Sequence, residues 1–370
     1  MDEINPGSGT RRSWLQRIHL DGTLLFSLIA VCSLGLVVLY SASGGSLDVM
    51  ERQALRLALA FGTMTLIAQI PPQYLLRWAP WLFGAGVALL VAVLVAGDIG
   101  KGAQRWLDLG FVRFQPSEML KLTVPMMLAW QLADARLPPN AVRLSLAAIL
   151  VLIPTLLIAK QPDLGTALII ASSGFFVIFL AGISWRLLFG LVVTFAASTP
   201  IAWYFMHEYQ RQRVLTFLDP EQDPLGTGYH IIQSKIAIGS GGLYGKGWQN
   251  GTQSQLEFLP ERSTDFIFAV LGEEFGLIGI LILLAAYGFV ITRCVYIATQ
   301  AQETFTRLLA GSLAFTFVVY ILVNTGMVTG LLPVVGVPLP LISYGGTSMV
   351  TLMAGFGILM SIHTHRKLLV

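Results

Sequence analysis

The stretch LPERSTDFIFAVLGEEFG, residues 259–276, has charged side chains on both sides of an apolar run. Asp265 directly precedes this run, which starts at Phe266, and the adjacent carboxylates of Glu273 and Glu274 follow about two helical turns later. A continuous apolar run of this kind is typical of a buried segment. The stretch therefore predicts the entry into a buried helix, with carboxylates concentrated in a chain that otherwise avoids charge.

The composition of the whole chain indicates an integral membrane protein. Of its 370 residues, 55% are hydrophobic and 12% are charged, with a mean hydropathy of +0.72, whereas about 25% of the residues of a soluble domain are charged. The net charge of +3 and the scattered basic residues argue against binding to nucleic acid. Cys32 and Cys294 are far apart and form no disulfide framework or metal-ligand pattern.

Long apolar segments predict ten membrane-spanning helices and an all-α polytopic fold. A spanning helix needs about 20 mostly apolar residues, and Pro162 with Gly165 divides one apolar stretch into two spans. The predicted spans are residues 22–41, 53–70, 76–96, 117–134, 141–160, 164–182, 186–206, 266–292, 304–329 and 345–363. The first exceeds the apolar core of a signal peptide, about 7–15 residues, and is interpreted as an uncleaved span.

The basic residues predict the orientation of these spans. Lysine and arginine are enriched in the short segments on the side that includes both termini, and such enrichment marks the cytoplasmic side. The chain is predicted to be one membrane domain, residues 1–370, with a cytoplasmic N-terminal segment 1–21 and a cytoplasmic tail 364–370. Three substantial loops then lie on the outer face: residues 97–116, 207–265 and 330–344. The longest of them connects spans seven and eight, so chemistry carried on loops is expected on that face.

Two groups of charged residues lie at or near predicted membrane depth, where such residues are costly and usually functional. Glu118 and Lys121, three residues apart in QPSEMLKL, share a helix face and can pair, either as a structural ion pair or as contacts for a substrate. Asp163, in AKQPDLGTA, can cap the sixth span or face a cavity and bind a cation or a hydroxyl. The two uses of Asp163 are compatible.

Asp265 has a structural and a catalytic interpretation. It can cap the eighth span, although Ser263 and Thr264 already supply capping oxygens. At the boundary between water and lipid it can also act as a general base, because its carboxylate is ionised but poorly hydrated there. Since adjacent residues cannot share a helix face, one of Glu273 and Glu274 is expected to pack inward.

The predicted outer face also carries cations that suit an anionic ligand. Arg211 and Arg213 follow the seventh span in YQRQRV, and arginine binds phosphate through paired hydrogen bonds. Lys235, in the amphipathic stretch YHIIQSKIAI, contacts such a ligand or lies in the lipid headgroup layer. Arg105, beside Trp106, is an interface anchor or a second phosphate contact. This pattern fits an enzyme acting on a lipid-linked phosphate, and it also fits a transporter of the same lipid.

Two further features indicate no site of their own. The stretch GSGGLYGKG, residues 239–247, lacks the spacing of a phosphate-binding loop and is predicted to be a flexible turn. The histidines in the outer loop and near the C-terminus show no ligand spacing with acids or cysteines: His207, His230, His363 and His365. The residues alone therefore identify no metal site.

Six stretches together resemble one family: KGAQRWLDLGFVRFQPSEMLKL, QPDLGTA, YQRQRV, DPLGTGYHIIQSKIAIGSGGLYGKG, LEFLPERSTDFIFAVLGEEFG and PLISYGGTS. They are similar to the shape, elongation, division and sporulation family, and GYHIIQSKIAIGSGG has the form of its elongation member. The resemblance implies a ten-span protein of the bacterial inner membrane, with a large periplasmic loop between spans seven and eight. It also implies a peptidoglycan glycosyltransferase that polymerises lipid II, a polyprenyl-pyrophosphate-linked disaccharide peptide, during cell elongation and rod-shape maintenance.

The resemblance also assigns roles to residues of this chain. The family's essential aspartate falls on Asp265, and its ion pair beside a cavity falls on Glu118 and Lys121. Its arginine before a tryptophan falls on Arg105, and the acid of its QPDLG motif on Asp163. These positions are expected to form the catalytic and substrate-binding site, together with the cations of the long loop.

The chemistry implied by the resemblance is a single inverting displacement. Asp265 is expected to accept the proton of the attacking sugar hydroxyl, a step that typically contributes about 10²–10⁴-fold. Arg211, Arg213, Lys121 or a divalent cation, Mg²⁺ or Mn²⁺, is expected to stabilise the departing pyrophosphate. The sequence requires no other cofactor.

The expected partner is a class B penicillin-binding protein, a transpeptidase that crosslinks the glycan in an elongation complex organised by MreB.

Two other functions are weighed against polymerisation. A lipid II flippase would place its site near the bilayer midplane at broken helices related by repeat symmetry, whereas the polar groups here gather at one face. A silent scaffold for the transpeptidase would not require the intramembrane pair of Glu118 and Lys121.

Overall fold

Helices lie over all ten of the predicted spans. The computed structural model describes residues 17–100, 103–108, 113–206, 208–222, 226–256, 258–259 and 261–366. Its helices are α1 (Gly22–Ala42), α2 (Leu47–Ala68), α3 (Pro72–Ala96), α4 (Pro116–Ala133), α5 (Ala141–Lys160), α6 (Leu164–Leu180), α7 (Trp185–Phe205), α8 (Glu208–Leu218), α9 (Thr227–Gly241), α10 (Thr252–Gln255), α11 (Ile267–Thr299), α12 (Thr304–Val328) and α13 (Thr347–Thr364). Helices α8 to α10 belong to the long loop that the sequence predicts on the outer face. Most of the predicted N-terminal segment 1–21 and of the tail 364–370 lies outside the described residues.

Within the described part of the chain, six helices are long and apolar enough to cross a membrane: α1, α3, α5, α11, α12 and α13. The apolar helices α6 and α7 are shorter by the same measure, and α2 and α4 combine apolar with charged side chains. A helical polytopic membrane protein is therefore confirmed. The count of ten spans and the domain boundaries stay predictions.

Helix α12 lies at the centre of the bundle. It packs against α4, α6 and α11, while α13 packs along α2 and α11 packs along α1. Most of α12 is buried, whereas nearly all described side chains of α7 are exposed. Lipid is as apolar as these side chains, so close packing between helices holds such a bundle together. This packing brings the first turns of α4, α6 and α13 beside the second half of α12.

The loop 97–116, which is predicted on the outer face, contains a small β-sheet that the sequence did not predict. Strands β1 (Asp98–Gly100), β2 (Ala103–Asp108) and β3 (Arg113–Phe114) pair antiparallel in that order. Pairing of neighbouring short strands satisfies the backbone of a loop locally. Apolar periodicity does not reveal strands this short, and the sheet is an addition to the helical fold.

Helix α11 is broken at Gly276, which has φ 63° and ψ −160°. Only glycine adopts this conformation with little strain. The Gly-rich stretch 239–247 lies at the break, and its backbone N–H groups donate to the carbonyl groups of Glu273 and Glu274, each at 3.0 Å. The predicted flexible turn is therefore hydrogen-bonded to the helix, because the break exposes carbonyl groups that need donors.

An ionic cluster joins one end of α1, α11 and α13. Asp21, the N-cap of α1, accepts hydrogen bonds from Arg293 at 3.0 and 2.5 Å, and His363 Nε2 lies 3.3 Å from the same carboxylate. Burial raises the pKa of Asp21, but the hydrogen bonds from Arg293 and from the N–H of Leu24 lower it, and the net result is a lowered pKa. We call Asp21, Arg293 and His363 the inner cluster. It places the start of the first helix and the end of the last helix at the same face.

Candidate active site

A polar cavity of about 160 Å³ lies at the end of the bundle opposite the inner cluster. It is lined by Arg105, Gln115, Glu118, Lys121, Asp163, Thr166, Ile169, Tyr320, Gly336, Val337, Pro338 and Ser348. Four of the predicted site residues are thus brought together by β2, α4 and the start of α6. With carboxylates, cations and hydroxyls around one space, the cavity can hold a ligand that carries both anionic groups and hydroxyl groups.

Glu118 and Lys121 form an ion pair in the first turns of α4. Lys121 Nζ donates to Glu118 Oε1 at 2.7 Å, and both residues are 7% exposed. Pro116 starts the helix at a position where no intrahelical N–H is needed. The second oxygen of Glu118, Oε2, is buried and has no hydrogen-bond partner among the described residues. The predicted pair is confirmed, and its free oxygen can accept a hydrogen bond from a ligand.

Asp163 serves as a cap and also lines the cavity. Its Oδ1 accepts a hydrogen bond from the N–H of Thr166 at 3.2 Å, which caps α6. Its Oδ2 accepts from Gln115 Nε2 at 3.1 Å, and the residue is 8% exposed. The capping alternative is therefore confirmed, while binding of a cation or hydroxyl stays a prediction.

Arg105 extends from β2 over the turn between α5 and α6. Its Nε donates to the carbonyl of Gln161 at 3.3 Å, and its Nη2 donates to the carbonyl of Pro162. Its Nη1 lies 3.7 Å from Asp163 Oδ2. These contacts hold the guanidinium at the wall of the cavity with 30% of its side chain exposed. That exposure leaves room for a phosphate contact.

Asp265 lies beside the cavity and does not cap α11. The N-cap position belongs to Phe266, without a side-chain hydrogen bond, and Asp265 lies in the preceding turn. Thr264, another predicted cap, instead donates to the carboxylate of Glu261 at 2.8 Å. A Cβ atom added to Gly336, which lines the cavity, would lie 3.6 Å from Asp265 Oδ2. The half-buried carboxylate is therefore close to the cavity wall.

Glu273 and Glu274 are both buried, so burial extends to the second glutamate as well as to the one that was expected to pack inward. Glu273 is fully buried and accepts from Lys246 Nζ at 2.8 Å and from the N–H of Gln253 at 2.9 Å. Glu274 accepts from the hydroxyl of Ser41 at 2.5 Å. The two carboxylates point to different sides of the helix, and the long loop covers one side while α1 covers the other.

The cations of the long loop are not among the residues that line the cavity. Arg211 donates to the carbonyls of Trp203 and Tyr204 at 3.0 and 2.7 Å, at the end of α7. Arg213 is half-buried on α8, and Lys235 is exposed on α9 near Gly330. Their contact with a substrate stays a prediction. The described residues also include no group of three or more His, Cys, Asp or Glu side chains that could hold a metal, and His207 lies outside them.

Sequence reasoning missed several polar residues at or behind the cavity wall. Gln115, Tyr320 and Ser348 line it, and the ring centre of Tyr320 lies 5.6 Å from Lys121 Nζ. Asn324 is fully buried and donates to the carbonyl of Asp265 at 2.9 Å. Asn324 stands inside the apolar stretch YILVNTG, and an amide within a span was the signal that could have identified it.

Comparison with known proteins places the chain in a family. Residues 17–368 match the cell cycle protein family that groups FtsW, RodA and SpoVE. The chain belongs to this family. Among curated relatives in the FtsW, RodA and SpoVE family, the peptidoglycan glycosyltransferase MrdB of Escherichia coli K12 is 58% identical over 97% of both chains. MrdB of Helicobacter pylori J99 is 36% identical over 94% of this chain and 90% of that protein.

Solved structures agree with this family assignment. A chain of a peptidoglycan synthase complex that coordinates polymerization and crosslinking has a TM-score of 0.81 and 36% identity, covering 93% of this chain and 97% of that one. The rod shape determining protein RodA of Thermus thermophilus has a TM-score of 0.71 and 31% identity over 94% of this chain and 98% of that one. The FtsW, RodA and SpoVE fold is thus shared along nearly the whole chain.

Proposed function

We propose that this chain is a peptidoglycan glycosyltransferase that polymerises lipid II at the outer face of the bacterial inner membrane. The observation that carries the proposal is the polar cavity, which gathers Glu118, Lys121, Asp163 and Arg105 with Asp265 beside it. The names of the MrdB relatives support the same activity. A site at one end of a membrane bundle suits a substrate whose head is in water and whose tail is in lipid.

The proposed reaction is an inverting displacement at the anomeric carbon of the donor. Asp265 removes the proton from a sugar hydroxyl of the acceptor. The oxygen of this hydroxyl forms a bond to the anomeric carbon of the donor as the bond between that carbon and the pyrophosphate breaks. Lys121 and Arg105 face the cavity and offset the charge that develops on the leaving group. The free Oε2 of Glu118 accepts a hydrogen bond from a sugar hydroxyl or amide of the substrate.

A divalent cation is not needed for this assignment of roles. Among the described residues, no three acidic, histidine or cysteine side chains converge on one point. The described residues therefore do not form a metal cage by themselves, and no step is assigned to a metal. Arg211, Arg213 and Lys235 are proposed to act earlier, by attracting the anionic headgroup to the outer face.

The membrane setting and partner follow from the same proposal. The inner cluster puts the first and last helices at one face, which supports an even number of spans with both termini in the cytoplasm. The related synthase complex supports association with a class B penicillin-binding protein, and through it with an MreB-organised elongation complex.

Asp265→Asn tests the activity and the base together. The full chain is purified with its transpeptidase partner, whose active site is blocked with a β-lactam, and glycan products from lipid II are resolved by length. We expect long glycan from the native chain and a fall of about 10²–10⁴-fold in Asp265→Asn, because the amide cannot accept the proton.

Glu221→Gln is the matched control, since Glu221 is an exposed acid of the same outer loop. It should polymerise at the native rate. Substantial activity in Asp265→Asn would remove Asp265 from the role of base. If native protein makes no polymer yet moves labelled lipid II across vesicles, the flippase function replaces the proposed one.

A further inference from the structure

The turn that contains Asp265 is held at three successive carbonyl groups. The carbonyls of the range 263–265 accept hydrogen bonds, in chain order, from the N–H of Tyr344 at 2.8 Å, the hydroxyl of Ser343 at 2.5 Å and the amide of Asn324 at 2.9 Å. All three donors lie far along the chain, on α12 or in the segment before α13. The turn is thus fixed from outside, since α11 begins only after it.

Asn324 connects this turn to the wall of the cavity. Its Nδ2 donates to the carbonyl of Asp265 and also to the carbonyl of Val337 at 2.7 Å. Val337 lines the cavity, and the next residue toward the N-terminus is Gly336, beside the Asp265 carboxylate. Asn324 itself is fully buried. The amide of Asn324 therefore fixes the distance between Asp265, the proposed base, and the cavity that the substrate would occupy.

The primary amide of Asn324 is chemically suited to hold two carbonyl groups together. Both neighbours are carbonyl oxygens, so the position requires two N–H donors from one atom, which a primary amide provides. An aspartate would bring a negative charge toward two acceptors, and a leucine of similar size would leave two buried carbonyls without these donors. Positioning within a fraction of an ångström matters, because a 1 Å displacement can lower a rate about 100-fold.

We infer that Asn324 is a positioning residue for catalysis, which holds the carboxylate of Asp265 at the cavity wall. Ser343 assists by fixing the neighbouring carbonyl of the same turn. This inference rests on the proposed role of Asp265 as the base. It assigns a function in the reaction to a buried amide near the C-terminal end of the apolar helix α12.

The test compares Asn324→Leu with Ser312→Ala, a matched change on the same helix. Ser312 is also fully buried, and its hydroxyl donates to the carbonyl of Ser173 at 2.7 Å, away from the residues that line the cavity. The full chains are assayed with the partner for kcat and for KM toward lipid II, and the midpoint of thermal unfolding is measured for each variant. Asn324→Leu should lower kcat about 100-fold with KM within about threefold, while Ser312→Ala should lower only the midpoint.

Ser343→Ala provides a second variant in case Asn324→Leu does not fold. It removes one of the three bonds to the turn and should lower kcat about tenfold at an unchanged KM. The inference is overturned if the folded Asn324→Leu, or Ser343→Ala in its place, keeps the native kcat while Asp265→Asn is inactive. Activity in Asp265→Asn would instead refute the proposed role of Asp265 as the base. Failure of the inference about Asn324 and failure of the proposed role of Asp265 are therefore distinguishable.

Discussion

The two ends of the bundle each contain a buried carboxylate paired with a cation, and they differ in how completely the carboxylate is bonded. In the inner cluster, both oxygens of Asp21 are engaged, by the N–H of Leu24, by Arg293 and by His363. At the polar cavity, which we call the outer end, Glu118 pairs with Lys121 through one oxygen, and its other oxygen has no partner among the described residues.

This difference separates a structural ion pair from a binding site. A fully bonded carboxylate has no acceptor capacity left for a ligand. The inner cluster therefore has a structural role, in which it joins helices, and offers no acceptor for ligand binding. A buried oxygen without a donor is unfavourable in the folded chain unless a ligand supplies one. Burial and charge alone do not distinguish the two ends, whereas the remaining hydrogen-bond capacity does.

Among changes to the two buried pairs, the largest effect is expected from Glu118→Gln at the outer end. The amide leaves Lys121 buried without its counter-charge and changes an acceptor that faces the cavity, so lipid II polymerisation should fall at least about 100-fold. The measurement is the initial rate of polymerisation per folded molecule, with folding followed by size-exclusion chromatography. A rate near that of the native chain would show that the outer pair is as structural as the inner one.

The exchange of both charges, Glu118→Lys with Lys121→Glu, is the control for this prediction. If the two side chains interact directly, the double variant should be more stable than either single variant. Activity need not return, because the exchanged pair presents the opposite charge to the substrate. Equal instability of all three variants would contradict direct pairing.

A smaller and different effect is expected from Asp21→Asn at the inner end. Polymerisation should stay within about twofold of the native rate, while the free energy of unfolding falls by up to about 3 kcal/mol, near the lower limit for breaking a buried pair. Thermal unfolding and polymerisation of the same samples provide the measurement. Asp48→Asn, at an exposed acid of α2, is the matched control and should change neither.

The stability of the inner cluster should also depend on pH. Because the pKa of Asp21 is lower in the folded than in the unfolded chain, its carboxylate adds stability above the unfolded pKa, and this share is lost as the pH falls through the folded pKa. Asp21→Asn should therefore lose less stability than the native chain on acidification below about pH 4. Parallel curves for the two chains would contradict a stabilising role for the carboxylate.

The smallest effect is expected from Arg211→Ala, which lies outside both clusters. If Arg211 attracts the lipid headgroup, its loss should raise the apparent KM for lipid II about fivefold, the equivalent of about 1 kcal/mol for an exposed charge. Arg211→Lys keeps the charge and should raise KM less. An unchanged KM with a lower thermal midpoint would assign Arg211 to its bonds with the carbonyls at the end of α7.

Much of the fold could be predicted from the sequence, because a span is a local property. Apolar length places α5 over the predicted residues 141–160 without error, and α1 differs from its prediction by one residue. The break at Gly276 could not be predicted in this way. The carbonyls exposed at the break accept hydrogen bonds from the distant Gly-rich stretch 239–247, and the continuous apolar run around Gly276 gives no sign of the change of direction.

The sequence by itself determined a helical membrane protein, its family and the charged residues expected at one face. Charge in lipid is so unfavourable that each charged residue in an apolar segment can be recognised individually. Tertiary structure alone decided which of those residues meet. It joined Arg105 to Asp163, left one oxygen of Glu118 free, buried both Glu273 and Glu274, and set Asn324 behind Asp265. The physical reason is that hydrogen bonds between residues far apart in the chain depend on how helices pack, and no local pattern records that packing.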